Sequence, residues 1–560
     1  MNEFSILIGG KAGFGVDKAS LVIARIINRL GYRMYVYRDY PSLIRGGHTF
    51  SIIRASEKKV SAHRDNIDFM IALNQDTVDL HKIRLKESAV IIYDSDTVKP
   101  SFLPEGQLSI ALSYGSVLKE ENAPEITRNT CAIGSLCKAI GVPWGVLEEV
   151  VRKEFSRDAD TNIKVARKGY DGTCELTKIK PLGRDAQPVI SGNEAIALGL
   201  VKGGLDAYIS YPMTPTSPIL HFLAGIASDM SLKIIHPESE IAVILMALGF
   251  AYCGKKAAVG TSGGGFCLMT EGFSFSAMAE LPVVIVLGQR PGPSTGLPTY
   301  SSQTELGFAL NAGQGEFTRF VVAPGDAEEA FYWAEAALNI SWKYQIPSVI
   351  LSDKTLGEGT YSFEESAAGQ IEEEKPLLWG RNGAYKRYLI TENGVSPLTF
   401  PSDKDAIIKS NSYEHDEYGI TTEDPGLTEK MQDKRLRKER WLSEELERHV
   451  SVGIYGKKGS STAILCWGSS KGVCIEAAEE LGLKVIQPLV LSPFPIRQFE
   501  EALKGVKKII AVECNATAQL VKLINGYGLD AHEKILKYDG RPFSVEELKG
   551  KLKDKLKKVT

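Results

Sequence analysis

Phe4-Ser-Ile-Leu-Ile8, the loop Gly9-Gly-Lys-Ala-Gly-Phe-Gly15 and the residues from Val16 to Leu30 read as strand, turn and helix in succession. The first five residues are apolar apart from Ser5, the pattern of a short buried strand. Val16, Ala19, Val22, Ile23, Ile26, Ile27 and Leu30 recur at spacings of three and four, which places them on one side of a helix. Working outward, Met34–Tyr37, Phe69–Leu73 and Ala89–Tyr93 are further predicted strands. Strands alternating with helices predict an α/β fold with a mostly parallel sheet over residues 1–185.

The alternation restarts over residues 186–360. Strands are expected at Ala207–Ser210, Lys233–Ile235, Lys256–Val259, Pro282–Leu287 and Ser348–Leu351. Helices are expected near Pro218–Ser228, Ser239–Cys253 and Leu268–Ala279. Between 361 and 450 the pattern breaks into acidic, Pro- and Asp-rich sequence, and Glu429–His449 reads as a charged surface helix; the whole segment is expected to be an excursion and linker. Over residues 451–560, Thr462–Cys466, Leu483–Ile486 and Lys508–Val512 predict a third α/β domain.

With 560 residues the chain is too long for one core; roughly three to four domains are expected. Charged residues are 24% and the net charge is -3, so a nucleic-acid-coating surface is not expected. The longest apolar run, Ile241–Cys253, has 13 residues, short of the ~18 that span a bilayer. No basic stretch precedes the first strand, so neither a signal peptide nor a membrane partner is expected, and the cytoplasm is the expected compartment. The eight cysteines include no Cys-x-x-Cys pair, the spacing most zinc and iron–sulfur sites use, and are read as mostly buried free thiols.

Six loops carry residues suited to chemistry. Gly10-x-x-Gly13-x-Gly15 is either a tight strand–helix turn or an anion site made of free amides. In Tyr40-Pro-Ser-Leu-Ile-Arg-Gly-Gly-His48, Arg45 either grips a phosphate or carboxylate or ties down backbone carbonyls. Tyr211-Pro-Met-Thr-Pro-Thr-Ser-Pro218 lies at the carboxyl end of a strand, where open α/β sheets place ligands; Ser217 is also a plausible helix cap. Glu238-Ser-Glu240 opens an otherwise apolar helix, so Glu240 is either a carboxylate favoured by the helix dipole or one held against apolar walls to share a proton with a heterocycle. Thr261-Ser-Gly-Gly-Gly-Phe266 is a further strand-end loop. Gln289-Arg-Pro-Gly-Pro-Ser-Thr-Gly-Leu-Pro-Thr299 holds one cation, Arg290, suited to capturing a substrate carboxylate.

In this order the motifs resemble the α subunit of 2-oxoacid:ferredoxin oxidoreductases, thiamine diphosphate enzymes, with their γ module fused at the N-terminus. Gly-Gly-Lys-Ala-Gly-Phe-Gly and Tyr-Pro-Ser-Leu-Ile-Arg-Gly-Gly-His carry the γ resemblance. The middle motifs resemble a pyrimidine-binding domain, and Tyr413–Gly419 in the excursion looks like the family. Trp467-Gly-Ser469, Pro493-Phe-Pro495, Glu513-Cys-Asn515 and Gln519-Leu520 resemble a transketolase-C-terminal-like domain. The family commonly has Ile where this chain has Met213, and Pro where it has Gly264.

The resemblance implies roles. Glu240 matches the glutamate that hydrogen-bonds the N1′ atom of the cofactor's aminopyrimidine. Thr214 matches a threonine lining the cofactor and substrate pocket, with Tyr211 and Pro212 of the same motif as cofactor-binding candidates. Arg290 matches the arginine that pairs with the 2-oxoacid carboxylate. Gly13, Gly15, Arg45 and Gly47 are implied candidates for holding coenzyme A. The sequence contains no Gly-Asp-Gly, with which such enzymes hold the diphosphate through Mg²⁺, and no cysteine set for a cluster. A β subunit is therefore expected to bring Mg²⁺ and a [4Fe-4S] cluster, with ferredoxin as electron acceptor, in a heterodimer or a dimer of heterodimers. The implied reaction converts a 2-oxoacid, 2-oxoglutarate first and a broad set second, with coenzyme A to acyl-CoA, CO₂ and reduced ferredoxin. A non-redox thiamine diphosphate enzyme is one alternative; the absent Gly-Asp-Gly and the γ-like block count against it. A nucleotide-binding regulatory protein is another, and it gives no reason for Glu240 and Arg290 to sit in such loops.

Overall fold

Apolar runs flanked by glycine-rich turns are the central strands that a sheet buries on both faces, and the described residues build three sheets. The computed structural model describes residues 2–42, 46–99, 103, 106–371 and 375–557. It divides into two compact units. One comprises Met1–Ile190, Glu358–Glu364 and Ser544–Leu548; the other comprises Ser191–Gly357, Glu365–Phe543 and Lys549–Thr560.

The first unit carries an eight-stranded sheet in the order Leu108–Leu112, Leu85–Asp94, Ile67–Ala72, Glu3–Lys11, His48–Ser56, Arg33–Asp39, Thr360–Ser362, Val189–Ser191. The first four strands are parallel. His48–Ser56 runs antiparallel to both of its neighbours, so this sheet is mixed. That strand carries no apolar run to mark it: Thr49, Ser51, Arg54 and Ser56 interrupt it, and all four are buried. Arg54 is accommodated by donating to the Ala62 carbonyl at 2.9 Å and to Glu3 Oε1 at 3.0 Å. Gly9, Gly10 and Lys11, read as loop from the sequence, continue the first strand.

The second unit carries a seven-stranded sheet in the order Val490–Ser492, Phe320–Val322, Pro347–Asp353, Val283–Gln289, Ala257–Ser262, Ala207–Ile209, Lys233–Ile235. All pairs are parallel except the first. A five-stranded sheet follows the order Val452–Gly456, Lys484–Pro488, Thr462–Leu465, Lys508–Glu513, Glu533–Leu536. Because Val490–Ser492 belongs to the last stretch of chain yet pairs with Phe320–Val322, the second and third sequence blocks share backbone hydrogen bonds and pack as one unit.

Residues 425–446 correct the sequence reading. The helix Pro425–Leu446 is not a charged surface helix along its whole circumference. Lys434 and Lys438, one turn apart, are buried against Glu280, which has a left-handed backbone (φ 50°) just beyond the helix Gly263–Met278. Lys434 Nζ lies 2.6 and 2.8 Å from the two Glu280 oxygens, and Lys438 Nζ lies 2.5 Å from Oε2. Arg387 donates to the Ala279 and Glu280 carbonyls at 3.0 and 2.8 Å. Burial pushes the Glu280 carboxyl up, but the three cations together hold it well below the usual carboxylate range. Among the described residues no helix is long and apolar enough to cross a membrane. All eight cysteines are free and five are buried.

Candidate functional site

Glu240 is the first residue of the helix Glu240–Tyr252; Ser239 caps it by accepting from the Ala242 N–H. The residue is only 5% exposed, and no donor among the described residues reaches its carboxylate. It faces the first turn of the helix Gly263–Met278. The three glycines of Thr261–Phe266 are therefore helical, beginning where the strand Ala257–Ser262 ends. Close approach explains two of them. A Cβ at Gly265 would lie 2.1 Å from Thr261 Oγ1, 2.7 Å from Glu240 Oε1 and 2.8 Å from Met213 Sδ, and one at Gly263 would lie 2.7 Å from Glu305 Oε1. At Gly264 the nearest atom would be the Ser294 carbonyl oxygen at 4.0 Å, so this side of the turn is open. Gly264 is the second residue of the helix, a position whose backbone tolerates proline as well as glycine.

The Tyr211–Ser217 loop lies beside this turn. The Met213 carbonyl accepts from the Thr216 and Ser217 N–H groups at 2.9 and 3.0 Å and from the Thr216 hydroxyl at 3.0 Å. Thr216, not Ser217, occupies the cap position, and it makes no side-chain cap. The Met213 sulfur accepts from the Ser262 and Thr261 hydroxyls at 3.3 and 3.7 Å. Tyr211 is exposed and meets His236 edge-on; Pro212 is half-buried. Arg290 follows the strand Val283–Gln289 and is 8% exposed. Its Nη1 donates to the Thr214 carbonyl at 3.0 Å, and no carboxylate among the described residues pairs with it. Burial draws its pKa below the ordinary value, while Glu305 pulls it back up. Thr214, Glu240 and Arg290 thus follow the parallel strands Ala207–Ile209, Lys233–Ile235 and Val283–Gln289 at their carboxyl ends, with Glu240 at the head of its helix against the glycine turn that follows Ala257–Ser262.

The motifs of the last block hold that edge in place. Gln303 donates to the Trp467 carbonyl at 2.7 Å and accepts from the Cys514 N–H at 2.8 Å. Gln519 donates to the Thr304 carbonyl at 2.8 Å, and the Ser469 hydroxyl donates to Asp353 at 2.5 Å. Glu513 is buried and accepts from Asn515, Trp467 and the Leu520 N–H. Glu305, within this braced segment, was not a sequence candidate; nothing in Ser-Ser-Gln-Thr-Glu marks it.

In the first unit, Gly13 (φ 91°), Gly15 (φ 72°) and Gly47 (φ 80°) all have left-handed backbones. Gly15 opens the helix Val16–Arg29 without a side-chain cap. The Ala12 N–H donates to the Gly47 carbonyl at 3.2 Å, so the two γ-like loops meet. Arg45 lies outside the described residues. His48 Nε2 is 2.9 Å from His81 Nε2; burial lowers the pKa of both rings, that of His81 to about 3.

An open cleft of about 1050 Å³ adjoins the outer side of the Glu240 helix, between Ile241, Leu245, Leu268, Phe275 and Phe317. It contains neither Glu240 nor Arg290. Ile241 and Leu245 are each 49% exposed, a large apolar exposure for one helix face. Among the described residues no group of three or more His, Cys, Asp or Glu side chains is placed to hold a metal ion.

A family model described as pyruvate flavodoxin/ferredoxin oxidoreductase, thiamine diP-bdg, matches residues 199–433, the stretch that holds Thr214, Glu240 and Arg290. Another, pyruvate ferredoxin/flavodoxin oxidoreductase, matches residues 5–172. The chain is 32% identical to the 2-oxoacid:ferredoxin oxidoreductase subunit alpha of Saccharolobus solfataricus, over 98% of this chain and 97% of that one. It is 30% identical to the subunit alpha of 2-oxoacid:ferredoxin oxidoreductase 2 of Aeropyrum pernix, over 99% and 98%. A solved structure, 2-oxoglutarate:ferredoxin oxidoreductase from Magnetococcus marinus with 2-oxoglutarate, coenzyme A and succinyl-CoA bound, is similar with a TM-score of 0.91. The sequence identity is 28%, and the match covers 99% of this chain and 100% of that one.

Proposed function

Because the chain belongs to the family of 2-oxoacid:ferredoxin oxidoreductase alpha subunits, we propose that it works with a β subunit in the cytoplasm to convert 2-oxoglutarate and coenzyme A to succinyl-CoA, CO₂ and reduced ferredoxin, other 2-oxoacids being slower substrates. The observation that carries this is Glu240. A buried carboxylate without a donor, beside a glycine turn with one open side, is suited to a ring nitrogen that completes its hydrogen bonding. Thiamine diphosphate fits that donor set and supplies, when bound, the electron sink for decarboxylation. Glu240 holds the proton shared with N1′ of the aminopyrimidine; Tyr211, Pro212 and Thr214 wall the same pocket. Arg290 offers the substrate carboxylate its free N–H groups. The loops of Gly13, Gly15, Arg45 and Gly47 hold coenzyme A. The partner subunit covers Ile241, Leu245 and Leu268 and brings the diphosphate site with Mg²⁺ and the [4Fe-4S] cluster. The choice of 2-oxoglutarate is supported by what the Magnetococcus marinus relative has bound.

Anaerobic purification of the tagged chain from its own cells is expected to yield a brown complex with a second subunit and bound thiamine diphosphate. That complex should reduce ferredoxin only with coenzyme A, fastest with 2-oxoglutarate. Turnover without coenzyme A, or a complex free of thiamine diphosphate, would overturn the reading. Replacing Arg290 by Ala should raise KM for the 2-oxoacid by roughly ten- to a hundredfold, the value of about 1.5–3 kcal/mol for hydrogen bonds to a charged group. An unchanged KM would remove Arg290 from the substrate site.

A further inference from the structure

Glu305 has no task in the reaction described above, yet it sits across the glycine turn from Glu240. Its Oε1 approaches Gly263 as closely as Glu240 Oε1 approaches Gly265. The Glu305 N–H donates to Gln289 Oε1 at 3.1 Å, and the Thr304 hydroxyl donates to Glu305 Oε2 at 2.9 Å. That hydroxyl also lies 3.4 Å from the Arg290 carbonyl. These contacts fasten Glu305 to the end of the strand that delivers Arg290. Among the described residues no salt bridge joins the two side chains, so Arg290 keeps N–H groups for another anion while feeling the charge of Glu305.

We propose that Glu305 is a positioning residue that takes up a proton from solvent when a 2-oxoacid carboxylate pairs with Arg290, linking substrate binding to its protonation. This rests on the reading of Arg290 given above. An ionised Glu305 would repel the arriving carboxylate and compete for the field of Arg290; a neutral one does neither. The charged groups facing Glu305 are few. Arg290 favours its ionised form. Asp353, opposite Gln289 on the neighbouring strand, disfavours it. Glu240 stands beyond the glycine turn, and Gln519, which accepts from the Gly307 N–H on the remaining side, does not titrate. Burial pushes the Glu305 carboxyl up, the Thr304 bonds and Arg290 pull it down, and it rests at about 7. The exchange of one proton therefore falls within the working pH range.

The test is KM for the 2-oxoacid against pH, measured on the complex of the chain with its partner subunit. For the unmodified chain KM should be flat below about pH 6 and rise above pH 7, by up to about tenfold per pH unit, the limit for one linked proton. Glu305→Gln imitates the neutral form and should flatten the rise. Glu305→Asp, which keeps a carboxyl, should retain it. Thr304→Val removes a donor that favours the ionised form and should move the inflection to higher pH. A Glu305→Gln profile that superimposes on that of the unmodified chain would overturn the inference, as would an inflection unmoved in Thr304→Val should the Gln variant not assemble. A complex that turns over no 2-oxoacid at all would instead overturn the proposed function.

Discussion

Replacing Glu240 by Gln should lower turnover by roughly 10²–10⁴-fold, the range for removing a positioned acid–base group, and leave the complex with its partner intact. The substitution keeps the side chain's shape, so the tight approach to Gly265 is preserved. What it loses is the ability to hold a proton for the neighbouring ring nitrogen. The carboxylate has no donor among the described residues, so no internal hydrogen bond is broken by the change. Its favourable position at the N-terminus of the helix Glu240–Tyr252 is worth only about 0.3–1 kcal/mol, too little to unfold the unit. The measurements are ferredoxin reduction at saturating 2-oxoacid and recovery of the partner in pull-down. Activity within a few-fold of the unmodified complex would mean that Glu240 is not the group that meets the cofactor.

Replacing Glu280 by Gln should cost roughly 3–5 kcal/mol of stability, seen as a lower midpoint of urea unfolding, because it leaves buried cations without their counter-charge. Lys434 and Lys438 converge on the two oxygens of Glu280, and none of the three has appreciable contact with water. A single neutral amide cannot compensate two ammonium groups. Replacing Lys434 and Lys438 by Met together with Glu280→Gln should recover most of the loss, since removing a whole buried ion cluster is often close to neutral. An equal loss in the triple variant would show that packing rather than charge is responsible. Glu280 follows the helix whose first turn carries the three glycines, so the single variant should also lose activity at temperatures where it stays folded.

Central strands of all three sheets were legible where burial on both faces makes a longer run apolar, as in Val283–Gln289 and Pro347–Asp353, whereas the three-residue strand Phe320–Val322, equally buried, was too short to be read. Glu240 was legible for the converse reason: a carboxylate at the head of Ile-Ala-Val-Ile-Leu-Met-Ala-Leu has no apolar explanation. The antiparallel strand His48–Ser56 was hidden because buried polar residues interrupt its apolar pattern, the largest of them, Arg54, being satisfied by Glu3 and the Ala62 carbonyl elsewhere in the unit. Lys434 and Lys438 looked like solvated charges because a helix pattern records which residues share a face, not what the face meets.

From the sequence alone came the α/β class, the family resemblance and the three motifs that carry Thr214, Glu240 and Arg290. These depend on local periodicity and on residue types held in short motifs, which need no knowledge of distant chain. Only the tertiary structure revealed the burial of Glu280 among three cations and the place of Glu305 beside Arg290. The partners of Glu280 are 154 and 158 positions away, and the bond from Gln519 that braces Thr304 spans 215. A carboxyl's protonation is decided by what desolvates it and which charges face it, and for these two residues both come from segments that only folding brings near.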